Sequence, residues 1–224
     1  MSASAFSQTF ESQYGVIYRA YLRDGAGFSG KAKRAARELG ELQDEKDQEL
    51  FLLHGGLAKV QRRLLSKWND ESQSLTLLSK AEDRLLVMLA LDQARLAAMT
   101  VVYVNELLGH GLQATQPIRA HDFIGEYTGV LREEREGDEH NRYLASTKAY
   151  GELTNFLIDG QDEGNLTRFI NHSFTAPNVR SEHAFHNLRW HRILRAERDI
   201  QAGEALLWNY GMDYWKAREA PAEL

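Results

Sequence analysis

Between Ser29 and Ala98 the chain has no proline and is dominated by Ala, Leu, Glu, Lys, Gln and Arg, the residues that lose least on entering a helix. At Met99 the character changes. Thr100-Val-Val-Tyr-Val104 is β-branched and aromatic, and Phe123-Ile-Gly-Glu-Tyr127 alternates loosely. Short strand-like runs follow at Phe156-Leu-Ile158 and from Asn187 to Leu194. The switch predicts an α+β protein with a helical N-terminal region, 1–98, followed by a β-rich part of many short strands, 99–224. Leu50, Leu53, Leu57, Val60 and Leu64 recur at spacings of three and four, which predicts one shared helical face. The His54-Gly-Gly56 triplet interrupts that run. Each glycine costs roughly 1 kcal/mol against alanine inside a helix, so a break between two helices is expected there. Ser79 and Glu82 have capping-box spacing and predict a helix running from Ser79 to about Ala98. Its middle, Leu85 to Leu91, is apolar on all sides, which predicts packing between other elements.

Composition narrows the classes of function. A chain of 224 residues with 43% hydrophobic content can bury one substantial core. No run approaches the roughly 18 uncharged apolar residues of a membrane span, and the longest apolar block is bounded by Arg84 and Asp92. The stretch from Met1 to Gly15 has no basic region followed by an apolar one, so no cleavable secretion signal is read there, and a cytoplasmic address is the expectation. Without cysteine there is neither a disulfide nor a thiolate-bound zinc site. A net charge of −5 speaks against direct nucleic-acid binding and suits a basic partner. His183, His186 and His191 lack the spacing and carboxylate pattern of a metal site, and no metal is assigned to them.

Three segments remain. Gly109-His-Gly111-Leu112 follows a predicted strand and, taken alone, reads as a turn. Gly164-Asn165-Leu-Thr-Arg168-Phe-Ile-Asn171-His172-Ser173 leads into Phe174-Thr-Ala176 and Pro177-Asn178. Gly203-Glu204-Ala-Leu-Leu-Trp208-Asn209-Tyr210-Gly211 comes last, before Met212-Asp-Tyr214-Trp215. In this order, with Tyr127-Thr-Gly129 after the first, they resemble the signature of SET-domain protein lysine methyltransferases, over roughly Val101 to Trp215. The chain departs from that pattern in two places. The family usually has Cys after the Ser of the second motif and a connection to Pro one residue shorter than Phe174-Thr-Ala176, and Trp208 stands where it often has Phe or Tyr.

The resemblance implies a SET fold with a knot-like C-terminal segment, a short post-SET piece, and an enzyme that uses S-adenosylmethionine (AdoMet). It implies cofactor contacts from Gly109, Gly111 and Leu112, where glycine lets the backbone approach closely. Further cofactor contacts are implied for Asn171, the His172 backbone, Arg168, Tyr210 and Trp215, with Arg168 and Asn165 mainly holding the loop. Tyr210 is the implied catalytic residue and Tyr143 its assistant. Tyr127, Tyr143, Trp208 and Tyr214 line the implied substrate side. The chemistry needs a neutral amine, because only its lone pair can attack the sulfonium methyl. A lysine of pKa about 10.4 stands roughly 4 kcal/mol from neutrality at physiological pH. The sulfonium charge and an apolar channel both disfavour the ammonium form, while tyrosine oxygens can align the amine's hydrogens. Trp208 either narrows the pocket to fewer methyl groups or turns outward and widens it.

The compact, cysteine-free form with a helical extension is similar to bacterial SET proteins, including the chlamydial type. That implies a histone or histone-like substrate and, for a bacterial effector, delivery to a host nucleus. Two other readings stand beside it. One is a noncatalytic SET-fold module that binds lysine-rich tails, its chemistry blocked by the altered Phe174 to Ala176 loop and Trp208. The other is a scaffold that forms a homo-oligomer through the helices of residues 31–98. Glu133-Glu134-Arg-Glu136-Gly-Asp138-Glu139 reads as a solvated loop or as an attractor for a basic tail.

Overall fold

A computed structural model of the chain describes residues 3–25, 30–68, 79–146, 156–187, 189–216 and 218. Helix α1 (Ala3–Tyr14) comes first, then two short strands, β1 (Ile17–Tyr18) and β2 (Arg23–Asp24), and then helices α2 (Gly30–Leu53), α3 (Leu57–Trp68) and α4 (Lys80–Asp92). The break between α2 and α3 falls at the glycine pair, where Gly55 and Gly56 both take φ of 91°, a conformation glycine adopts without strain. The expected apolar stripe does not survive that change of direction. Val60 and Leu64 are buried, Leu53 and Leu57 are exposed, and Phe51 takes the buried place near the end of α2.

Helix α4 starts where the spacing predicts. Ser79 Oγ accepts the Glu82 N–H at 3.3 Å while the Glu82 carboxylate accepts the Ser79 N–H at 2.9 Å. It ends at Asp92, well short of the expected Ala98. Ala94 turns to φ of 46°, and the N–H groups of Ala94 and Arg95 bond back to the carbonyls of Leu91 and Ala90. This is a Schellman closure made without the usual glycine. Leu85, Leu86, Val87, Ala90 and Leu91 share one apolar cluster with Phe51, Val60 and Leu64 of the other helices and with Phe123, Ala184 and Ile193 of the sheet. The apolar middle of α4 is thus enclosed between layers, as its sequence predicts.

The β-rich part begins with an antiparallel hairpin, β3 (Met99–Asn105) and β4 (Gly109–Ala114). The Gly109-His-Gly111-Leu112 segment is therefore strand and not turn: Gly111 pairs with Val102, and only Gly109, at φ of 67° beside a register shift, carries a turn conformation. The remaining strands are β5 (Phe123–Glu126), β6 (Val130–Glu133), β7 (Leu144–Ser146), β8 (Phe156–Asp159), β9 (Glu163–Gly164), β10 (Asn171–His172), β11 (Val179–His186), β12 (Arg189–Ala196) and β13 (Leu207–Trp208), before the single-turn helix α5 (Met212–Trp215). The strand expected at Asn187 starts at Arg189, because Asn187, at φ of 50°, makes the turn between β11 and β12.

Two sheets position the site, one ordered β10-β13-β11-β12-β5 and one β2-β6-β8-β7. In the first, β13 lies between β10 and β11 and runs parallel to both, although β10 and β11 are consecutive along the chain. Residues 173–178 must therefore cross over β13, a threading that connections seldom adopt. Asn178, buried, pins the crossing: its N–H and Oδ1 bond to Leu207 at 3.0 and 2.8 Å, and its Nδ2 donates to the Ala205 carbonyl at 2.8 Å. The region before α2 is not helical throughout. β1 pairs with β9 and β2 with β6, and Phe10, Val16 and Leu22 lie in the same core as Leu112, Ile124, Leu131, Ile158 and Leu206.

Candidate active site

The parallel register of β10 and β13 sets Asn171 beside Leu207 and His172 beside Trp208, so the second and third motifs meet side by side. Two residues on, the Tyr210 N–H donates to His172 Nδ1 at 3.1 Å and its hydroxyl donates to the Ile170 carbonyl at 2.5 Å. Aromatic rings close round it. Trp208 and Tyr214 stand edge-on at 5.4 and 4.8 Å, and Trp215 lies parallel to the ring at 6.2 Å. Trp215 also touches His172 at 4.9 Å, and Phe174 meets that imidazole edge-on at 4.1 Å. Burial pushes the Tyr210 phenol well above its ordinary pKa, with Tyr127, Tyr214 and Tyr143 adding to the shift. It stays protonated at neutral pH and cannot serve as a base there.

Trp208 is buried and turned inward, 6.2 Å from the Tyr127 ring, with the Arg192 guanidinium 4.7 Å from its own ring centre. Arg192 donates to the Ser146 carbonyl and, at 2.9 Å, to Ser181 Oγ. Burial lowers its pKa to about 10. Tyr127 is buried and donates its hydroxyl to the Tyr143 carbonyl at 2.8 Å, and burial raises its pKa as well. Tyr143 is set by the bond from its N–H to Asn141 Oδ1, 2.8 Å, and its ring lies 3.8 Å from the Arg168 guanidinium.

Arg168 is buried and donates to the carbonyls of Gly160 and Gln161 at 2.7 and 2.9 Å. Its contacts bind that loop to Tyr143. Asn165 caps the short 3₁₀ turn Leu166–Phe169 through Thr167 and donates to the Glu126 carbonyl at 2.9 Å. Asn171 Nδ2 donates to the His110 carbonyl at 3.2 Å. A Cβ on Gly111 would stand 3.0 Å from that Nδ2 and 2.8 Å from Val104 Cγ2, so the approach of the two strands requires glycine. The Leu112 side chain is in the core and its carbonyl accepts the Leu206 N–H at 2.8 Å.

The structure thus brings Tyr210, His172, Trp208, Tyr214 and Trp215 into one cluster, with Tyr127 and Tyr143 behind Trp208. Gly111 and Asn171 form an adjoining patch, Gly109 opens the same strand two residues earlier, and Arg168 backs Tyr143. Sequence reasoning missed the Ile170 carbonyl, Arg192, and the pinning role of Asn178. Asn178 alone left a signal, since it closes the second motif after Pro177.

Residues 109–211 match the family model described as SET domain. The chain is 36% identical over 135 residues to the histone-lysine N-methyltransferase, H3 lysine-36 specific, of Aspergillus oryzae, covering 55% of this chain and 13% of that protein. It is 35% identical over 133 residues to the histone-lysine N-methyltransferase EHMT1 of Mus musculus, covering 56% of this chain and 10% of that one. Among solved structures, the crystal structure of the Chaetomium thermophilum polycomb repressive complex 2 aligns with a TM-score of 0.49 at 31% identity, over 59% of this chain and 17% of that chain. The chain therefore spans only a small part of the length of these relatives. The family match opens on the first glycine of β4 and closes on Gly211, just past the cluster around Tyr210, and residues 109–211 of this chain are a SET domain.

Proposed function

We propose that this chain is an AdoMet-dependent protein-lysine N-methyltransferase acting on a basic protein such as a histone or histone-like protein. The observation that carries the reading is the junction of β10 and β13, which sets a neutral, half-buried tyrosine beside the Asn171 and Gly111 patch. The residues fit AdoMet. At Gly111 a Cβ would press to 2.8 Å from Val104 Cγ2 and 3.0 Å from Asn171 Nδ2, so glycine lets Asn171 stand against the β4 backbone, and β10 is the edge strand of its sheet, so its backbone can meet a flat heterocycle. When bound, AdoMet supplies an electrophilic sulfonium methyl.

The rest of the chemistry falls to the chain's own side chains. Tyr210 keeps its proton, donates a hydrogen bond through it to the Ile170 carbonyl, and has lone pairs left to accept the hydrogens of an incoming amine. Tyr127 is held neutral in the same way against the Tyr143 carbonyl. Neither removes a proton. The lysine has to arrive as the free amine, and the low-dielectric ring cluster with the Arg192 cation against Trp208 disfavours its ammonium form. Trp208 fills the space beside Tyr210 and on this reading restricts the number of methyl groups accepted.

The relatives above, histone-lysine N-methyltransferases, support the substrate class, and a net charge of −5 suits a basic partner. The bacterial, chlamydial-type placement rests on the compact cysteine-free form alone, while the relatives above are fungal and mammalian. The test is transfer of label from tritiated AdoMet to lysine-rich proteins by the parent chain and by Tyr210→Phe. Label should reach lysine and fall about 100-fold in the variant, since the ring remains but the orienting oxygen is gone. Equal transfer by the variant removes Tyr210 from the chemistry. A parent chain that binds basic peptides without any transfer takes the noncatalytic reading instead.

A further inference from the structure

Helix α5 is one turn long, too short to hold its shape by its own hydrogen bonds. Yet it carries the two rings, Tyr214 and Trp215, that cover Tyr210 and His172. Something outside the helix must set its place. Arg218 sits one turn beyond it and makes three bonds to main-chain carbonyls: to Tyr214 at 2.8 Å, to Asp138 at 2.8 Å and to Asn141 at 2.9 Å. Its guanidinium also lies 4.3 Å from the centre of the Tyr214 ring, whose hydroxyl donates to the Arg142 carbonyl at 2.9 Å.

The loop that receives these bonds is itself fixed from below. Both carboxylate oxygens of Asp138 accept from Arg132, at 2.6 and 2.9 Å, and Arg132 donates to Asp159 at 2.8 Å. Asn141 donates to that same Asp159 at 2.9 Å and receives the Tyr143 N–H. Two routes therefore leave Arg218. One runs through Tyr214 to Tyr210, and the other through Asn141 to Tyr143. A planar cation with several donors suits this task, because it can reach three carbonyls from one position.

We infer that Arg218 is a positioning residue that clasps the α5 aromatics over the Tyr210 and His172 site and ties them to the loop carrying Tyr143. The inference rests on the AdoMet reading for its functional consequence but not for its geometry. The experiment therefore has two readouts on the 224-residue chain: backbone hydrogen exchange over residues 210–218, and the AdoMet dissociation constant by calorimetry. In Arg218→Ala, exchange at Tyr214 and Trp215 should quicken about tenfold while β11 and β12 keep their protection. AdoMet affinity should fall about tenfold, the scale of losing charged hydrogen bonds. Arg218→Lys should resemble the alanine variant, because a point charge on a flexible stem does not span the three carbonyls. Unchanged exchange at α5 overturns the clasp, and so does parental affinity in Arg218→Ala. A parent chain that binds no AdoMet overturns the cofactor reading, and the exchange result then decides the clasp by itself.

Discussion

Trp208 and Tyr210 are two residues apart on one extended segment, yet the site asks different things of them. The hydroxyl of Tyr210 is committed to the Ile170 carbonyl, so its contribution is directional. Trp208 has no such task; buried between Tyr127, Tyr210 and the Arg192 guanidinium, it contributes bulk. Replacing it by the smaller Phe leaves an aromatic wall but opens room beside Tyr210. Trp208→Phe should therefore shift the methylated product toward more methyl groups per lysine at a stability cost of about 1–3 kcal/mol. Mass spectrometry of a peptide substrate at matched turnover checks this, and an unchanged distribution of methyl states would mean that Trp208 does not set the limit.

At the scale of elements, the segment that delivers Tyr210 depends on the turn before it. Glu204 bonds to Arg198 at 2.6 Å, accepts the Gln201 N–H at 3.0 Å and the Asn178 amide at 3.1 Å, and so joins the turn to the 173–178 crossing. The Arg198 guanidinium, followed by the Gln201 and Asn178 bonds, holds its carboxyl down at about 2, against an ordinary 4.5. A carboxyl held low in the folded state adds stability that is complete above the ordinary value and lost as pH falls toward the lower one. Glu204→Gln should therefore melt below the parent near neutrality, and the gap should close as pH drops from about 4.5 to about 2. Melting temperatures across that range test it; a gap independent of pH would show that the carboxylate charge is not what ties the turn.

Across the whole molecule, features written in neighbouring residues were readable in the sequence. The capping box at Ser79, the Gly55 and Gly56 break, and the change of character at Met99 each involve residues within a few positions of one another. The end of α4 was not readable, because Ala94 takes a left-handed turn that only its closing bonds justify. β1 and β2 exist through their partners at Glu163 to Gly164 and Val130 to Leu131, and two residues hold no period to detect. The same division runs through the site. Its motifs stand out as strings, whereas Arg218 finds its Asp138 acceptor 80 residues away.

The crossing of residues 173–178 over β13 also fixes an order of events when the chain folds. The β3–β4 and β11–β12 hairpins join residues close in sequence and can close early, while β13 needs both β10 and β11 in place. On dilution from denaturant, far-ultraviolet circular dichroism should recover first and AdoMet binding in a later, slower phase. A common rate for both would mean that β13 docks along with the hairpins. A late β13 makes Tyr210 a latecomer too, so a chain with most of its strands formed is still without the residue on which its proposed chemistry turns.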